Sequence, residues 1–154
     1  MIEFKGSLSN DCKKYLIRRA KKISFLGLFF PCVLLLIPFI FLALQNSIFI
    51  IAVVALLLLP FVAFIKFPKS SLGLILPCII TIENNMIYSK GERFEYSKPI
   101  SSIKNVIDFG EWYHIFFYYR DRCENFVCQK DLLKIGTIED FESLFEGKII
   151  RKNY

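Results

Sequence analysis

Glycine and proline are scarce in this chain, 7 and 6 residues of 154. That excludes a collagen-like or low-complexity protein. Cysteine is sparse and odd in number, with 5 residues, which argues against a small secreted disulfide scaffold. Only 22% of the residues are charged while 55% are hydrophobic, so a disordered chain is excluded as well. There is a single histidine, and neither a phosphate-binding glycine loop nor a serine nucleophile elbow occurs.

The most informative absence is local. Between Ile23 and Ile65 there is no charged residue at all. As one helix those 43 residues would run about 65 Å, roughly twice the hydrocarbon thickness of a bilayer. The stretch must break, and its only polar cluster is Gln45-Asn46-Ser47. Two spans are therefore expected, 23–44 and 48–67, joined by a turn at 45–47. Each is long enough to cross a membrane. Two buried core helices would need more covering material than so short a chain supplies. A cleaved signal peptide would have an apolar region of about 7–15 residues, shorter than this one. Pro31 and Pro38 in the first span and Pro60 in the second are tolerated in membrane helices and bend them, as a hinge or as a static curve. The hairpin has one glycine, Gly27, so it offers no GxxxG seam.

The net charge of +6 is equally uneven. Residues 1–22 hold seven basic and two acidic side chains, and residues 66–154 hold thirteen and twelve. A net charge near +1 over the second region speaks against nucleic acid as a partner. The cations Lys13, Lys14, Arg18, Arg19, Lys21 and Lys22 precede the first span, Lys66 and Lys69 follow the second, and the turn has none. Positive flanks stay on the cytoplasmic side, so both termini are expected there, in a multi-pass inner-membrane protein. The six cations before the first span set this topology. They are also the candidate contacts for lipid headgroups, each worth roughly 1 kcal/mol near an anionic surface.

Ile2–Lys5 alternates apolar and charged residues, which suits a short strand. Ser9 or Asn10 then caps a basic helix that runs into the first span, so residues 1–22 form one juxtamembrane segment. Residues 77–148 read as a strand-rich domain. Its expected strands are Cys78–Glu83, Met86–Ser89, Phe94–Ser97, Ile103–Phe109, Trp112–Tyr119 and Asn125–Gln129, separated by Asn84-Asn85, Gly91, Pro99, Gly110 and Arg120-Asp121-Arg122. In the fourth strand Ile103, Ile107 and Phe109 share a parity. Thr137 with Asp140 three residues on makes a capping box, and Ile138, Phe141, Leu144 and Phe145 form a helical stripe, so a helix is expected at 137–147. The tail from Lys148 reads as frayed. The fold class that follows is a membrane α+β protein. It combines a two-helix transmembrane hairpin with an antiparallel half-barrel of about seven strands, like a pleckstrin-homology domain, closed by a C-terminal helix.

Catalytic candidates are few. His114 lies in an aromatic strand without spaced partners. Cys123 and Cys128 have four residues between them, not the two of a zinc knuckle. Asp108 and Glu111 flank a turn, and Glu139, Asp140 and Glu142 crowd the last helix, where carboxylates favour the N-terminus. No enzyme, cofactor or metal is expected. The aromatic strand supplies the candidate partner surface, Trp112, Tyr113, Tyr118 and Tyr119, since one parity packs the core and the other faces the membrane, a partner or the C-terminal helix.

The order of segments, with the stretch Tyr96–Lys104, the aromatic strand 112–119, the stretch Phe126–Leu133 and the acidic-aromatic helix Thr137–Phe145, resembles the YcxB-like family of bacterial membrane proteins. The resemblance covers nearly the whole chain and transfers no catalytic residues. It implies a membrane-anchored, pleckstrin-homology-like interaction module that binds a protein partner, a second copy or lipid headgroups. The other reading is a small immunity or regulatory protein that acts through its hairpin.

Overall fold

The structure, a computed structural model, describes residues 1–46, 48–65, 76–118 and 125–152. The chain divides into two units, one of Ile17–Lys69 and one of Met1–Leu16 with Ser70–Tyr154. Together they make an α+β protein.

The first unit holds most of α1 (Asn10–Gln45) and all of α2 (Phe49–Ile65). At 1.5 Å per residue α1 is about 54 Å long. It continues through Pro31 and Pro38, each of which removes a backbone donor inside the helix. α1 ends where Asn46 takes over the backbone: its N–H bonds to the Leu42 carbonyl, and its side chain accepts from the Ile48 N–H at 3.1 Å. The ring contacts between the helices show their direction. Phe25 meets Phe64 and Phe61, with centroids 5.9 and 5.4 Å apart, and Phe39 meets Phe49 at 6.4 Å. As the position on α1 rises, its partner on α2 falls, so the two helices pack antiparallel. The outward side chains are large and apolar, among them Phe30, Ile37, Leu44, Ile51 and Ile65, each at least two-thirds exposed. One helix, α1, is long and apolar enough to cross a membrane. At 17 residues α2 falls short of the 20-residue second span expected from the sequence, of which residues 66–67 lie outside the described residues.

The second unit has nine strands among the described residues. One sheet runs β4-β3-β2-β1-β8, from Glu95–Pro99, Met86–Gly91, Pro77–Glu83, Ile2–Lys5 and Leu133–Ile135. The other runs β7-β6-β5-β9, from Val127–Gln129, Trp112–Phe117, Ile103–Asp108 and Ile149–Arg151. β1 sits between β2 and β8, so the residues before the apolar stretch belong to the same sheet as those after it. Asn84 and Asn85 turn β2 into β3 with φ of 48° and 58°, the left-handed region that asparagine tolerates best after glycine.

Helix α3 (Ile138–Leu144) starts on the expected capping box. The Asp140 N–H donates to Thr137 Oγ1 at 3.0 Å, and the Thr137 N–H donates to Asp140 Oδ2 at 3.2 Å. It inserts Phe141 and Phe145 into a core built from Phe4, Ile80, Ile82, Ile87, Ile103, Val106, Tyr113, Ile115, Phe117 and Phe126.

Three expectations are corrected. The alternation of the fourth predicted strand is broken by an irregularity between Ile103 and Asn105. Beyond it Val106 points into the core and Ile107 does not, so Ile103 and Ile107 share no face. The strand count is nine rather than about seven, because β8 and β9 are three-residue strands with no periodicity to announce them. The tail is not frayed, since Ile149–Arg151 pairs with β5 in parallel.

Candidate functional site

The start of α1 is built into the second unit. Leu8, Cys12 and Leu16, four residues apart, bury one stripe against Phe109, Trp112 and Val127. The Ser9 N–H donates to Gln129 Oε1 at 2.6 Å, and Ser9 Oγ accepts from the Cys12 N–H at 3.3 Å. Ser9 therefore caps α1 and ties the cap to β7. One turn on, the Tyr15 hydroxyl lies 2.9 Å from Nδ1 of the fully buried His114. The Tyr15 ring also meets Phe109 at 4.9 Å and Trp112 at 6.1 Å. His114 is thus a packing residue bonded to the helix, and the second parity of β6 faces that helix. The helix expected there from the sequence, the C-terminal one, packs on the opposite parity instead, with Phe141 on Tyr113 at 4.6 Å.

Two of the four candidate partner-surface residues are corrected by this arrangement. Trp112 and Tyr113 are both buried, Trp112 under the start of α1 and Tyr113 in the main core. Tyr118 is exposed, and Tyr119 lies outside the described residues. The aromatic richness of β6 comes from its position between two packed layers, which alternation alone does not reveal.

Three of the carboxylates singled out in the sequence, Asp108, Asp140 and Glu142, hold structure. Asp108 is buried and accepts from the Gly110 N–H at 2.8 Å and from Lys130 Nζ at 3.0 Å. The same ammonium stands 4.4 Å over the Tyr113 ring. The Tyr113 hydroxyl donates to Glu142 Oε1 at 2.6 Å, and Glu142 also pairs with Arg151 at 3.1 Å. Burial, with the Glu142 carboxylate behind it, pushes the Tyr113 hydroxyl pKa far up. Asp140 is committed to the helix cap. Among the described residues no group of three or more His, Cys, Asp or Glu side chains is placed to hold a metal ion. An open cavity of about 660 Å³ lies beside the Asn84-Asn85 turn, floored by Ile2, Ile82, Ile100 and Leu144, and brings together no reactive set.

The thiols separate cleanly. Cys12 is buried, and desolvation, with Asp131 and Glu111 adding to it, raises its pKa to about 12. Burial likewise pushes Cys128 far up, while Cys78 is exposed. Since the thiolate is the nucleophile, burial makes Cys12 far less reactive at pH 8 than an ordinary thiol. A maleimide at pH 8 is expected to modify Cys78 within minutes and to leave Cys12 and Cys128 intact until the fold is opened with denaturant. Mass mapping of the labelled peptides reads the result. Rapid labelling of Cys12 in the folded chain would show that α1 does not stay docked. Cys123 lies outside the described residues.

The six cations are spread around α1. Lys13 is half-buried and donates to Ser7 Oγ at 2.8 Å, Lys14 pairs with Asp11 at 3.1 Å, and Lys21 stands 5.7 Å over the Phe64 ring. Arg19 is half-buried. Lys14, Arg18 and Lys22 recur every fourth residue and are all exposed, an open basic stripe just before the apolar run. Like charges at that spacing repel and weaken a helix unless something neutralises them.

Comparison with family models, curated proteins and solved structures finds no match for this chain. The class defined by fold and site is a chain with one long apolar helix whose first two turns are packed on a small two-sheet domain.

Proposed function

We propose that the chain is a non-catalytic, multi-pass protein of a bacterial inner membrane that holds a pleckstrin-homology-like interaction module at the cytoplasmic face. The observation that carries this reading is α1. Its apolar window has a mean hydropathy of 2.7 and only 6% of it is buried, while its first two turns are packed in the sheet unit. In water so much exposed aliphatic and aromatic surface would drive aggregation; in lipid it needs no cover. The second helix completes a hairpin that returns the chain, and β1 and β2, which precede and follow the hairpin, are neighbours in one sheet. Both ends of the hairpin therefore belong on one side, and the excess of cations supports that side being the inner one. The stripe of Lys14, Arg18 and Lys22 would find its neutralising anions in the lipid headgroups. Two meanders, β2-β3-β4 and β5-β6-β7, followed by a helix that plugs the core, support the pleckstrin-homology-like reading.

The test is topology. A reporter pair fused after Tyr154, one active only in the cytoplasm and one only outside it, is expected to give the cytoplasmic signal alone. The external signal would overturn the orientation. Recovery of the chain in the soluble fraction would overturn the membrane reading altogether.

A further inference from the structure

The edge of the four-stranded sheet is occupied by the chain's own tail, and thinly. β9 makes three residue pairs with β5: Val106 with Ile149, Ile107 with Ile150 and Asp108 with Arg151. The pairing is parallel, the slightly weaker mode per residue. At its two ends the Val106 N–H donates to the Lys148 carbonyl and the Lys152 N–H to the Asp108 carbonyl, both at 2.9 Å. The strand leaves α3 through Gly147, which adopts a φ of 75°, a turn that glycine makes without strain. Ile149 is only half-buried against the core, Ile150 is 47% exposed and the Arg151 side chain 71% exposed. Little apolar burial therefore holds the tail down, and β5 beneath it is twice as long.

We propose that the β5 edge is a strand-addition site for an extended segment of a partner protein, and that the tail occupies it in cis and is displaced when the partner binds. Strand addition takes its affinity from main-chain hydrogen bonds and its specificity from alternate side chains. The tail itself displays the chemistry the edge accepts. Ile149 sits on the core side, Ile150 faces away, and Arg151 reaches Glu142 Oε2 at 3.1 Å. The partner segment therefore reads apolar, any residue, basic, and enters parallel to β5. Glu142 is the selecting anion: it already accepts from the buried Tyr113 hydroxyl, so its carboxylate is fixed before a ligand arrives. This inference rests on the reading of the β unit as an interaction module and names its surface.

The probe is a fluorescent peptide of residues 146–154, added to the full chain in mild detergent and followed by anisotropy. A chain carrying Ile149→Asp with Arg151→Glu has its cis strand evicted. A cis tail that is docked nine-tenths of the time masks the site, so the evicted chain is expected to bind the peptide about tenfold more tightly than the unaltered chain. A peptide bearing the Arg151→Glu change is expected to bind several-fold more weakly. Equal affinity for both chains, or no binding to an evicted chain whose Trp112 emission is native, overturns the proposal. Should the evicted chain not fold, hydrogen exchange of the unaltered chain decides. The Lys152 amide is expected to exchange at least about a hundredfold faster than the Ile115 amide inside the sheet, because the tail opens alone. Equal protection overturns the proposal. Binding is read in detergent and is independent of orientation, so a misplaced terminal reporter condemns the membrane reading only, and absent peptide binding condemns the strand addition only.

Discussion

Phe141→Ala is expected to lower the unfolding free energy of the β unit by about 3–5 kcal/mol, a large share of what a small domain has. Phe141 is fully buried and is the hub of an aromatic chain. Its ring stands edge-on to Phe4 at 5.5 Å, tilted on Tyr113 at 4.6 Å and edge-on to Phe145 at 4.8 Å. Through these contacts α3 touches β1 in one sheet and β6 in the other, so removal of the ring opens a cavity where the two sheets and the helix meet. Partial collapse is hindered because Tyr113 is held by its bond to Glu142 and by Lys130 over its ring. The chain has one tryptophan, Trp112, and it is buried, so its emission reports unfolding directly in a urea titration in detergent. The control is Leu144→Ala, three residues along the same helix, where the side chain is 41% exposed and the expected change stays near 0.5 kcal/mol. Equal midpoints for the two variants would show that α3 does not plug the core.

What the sequence makes legible is what local chemistry decides. The Asn84-Asn85 turn, the Thr137–Asp140 capping box and the alternation that puts Ile80 and Ile82 inside are all short-range signals, and each is realised. What it hides is decided by partners distant in the chain. The irregularity after Ile103 depends on β6, and the strand character of Ile149–Arg151 depends on a free edge 43 residues earlier. Trp112 of the candidate partner surface is hidden for the same reason: β6 looked like one core face and one outer face, yet Leu8, Cys12 and Leu16 cover the second. The one hint was that these three recur every fourth residue. The bond between Tyr15 and His114 joins residues 99 positions apart, and no local pattern announces it. The basic stripe was legible in part: the sequence shows six cations before the span, but which of them stay exposed, Lys14, Arg18 and Lys22, depends on what covers the other face of the helix.

The six cations before the apolar run carry the second large effect. With Lys13, Lys14, Arg18, Arg19, Lys21 and Lys22 all changed to glutamine, the cations left near the spans are Lys5, Lys66 and Lys69. The bias that holds a hairpin with its ends inside is counted over Lys and Arg within about 15–20 residues of the spans, and most of it disappears. The expected result is that at least half of the chains insert with both ends outside. On the proposed topology the exposed Cys78 then becomes reachable by a membrane-impermeant thiol reagent added to intact cells, whereas in the unaltered chain it is expected to stay shielded. Glutamine keeps the helix propensity close to that of lysine and arginine, so loss of α1 itself does not mimic the outcome. Neither do the capped first turns: Ser9, Cys12 and Tyr15 are untouched, and the Ser9–Gln129 and Tyr15–His114 bonds remain available. A variant in which only Lys13 and Lys14 are changed separates charge number from position. Both are engaged with neighbours, Lys13 with Ser7 and Lys14 with Asp11, so their loss is expected to leave Cys78 shielded in most chains. If the six-fold change also leaves Cys78 shielded, the folded β unit and not the charge fixes the orientation.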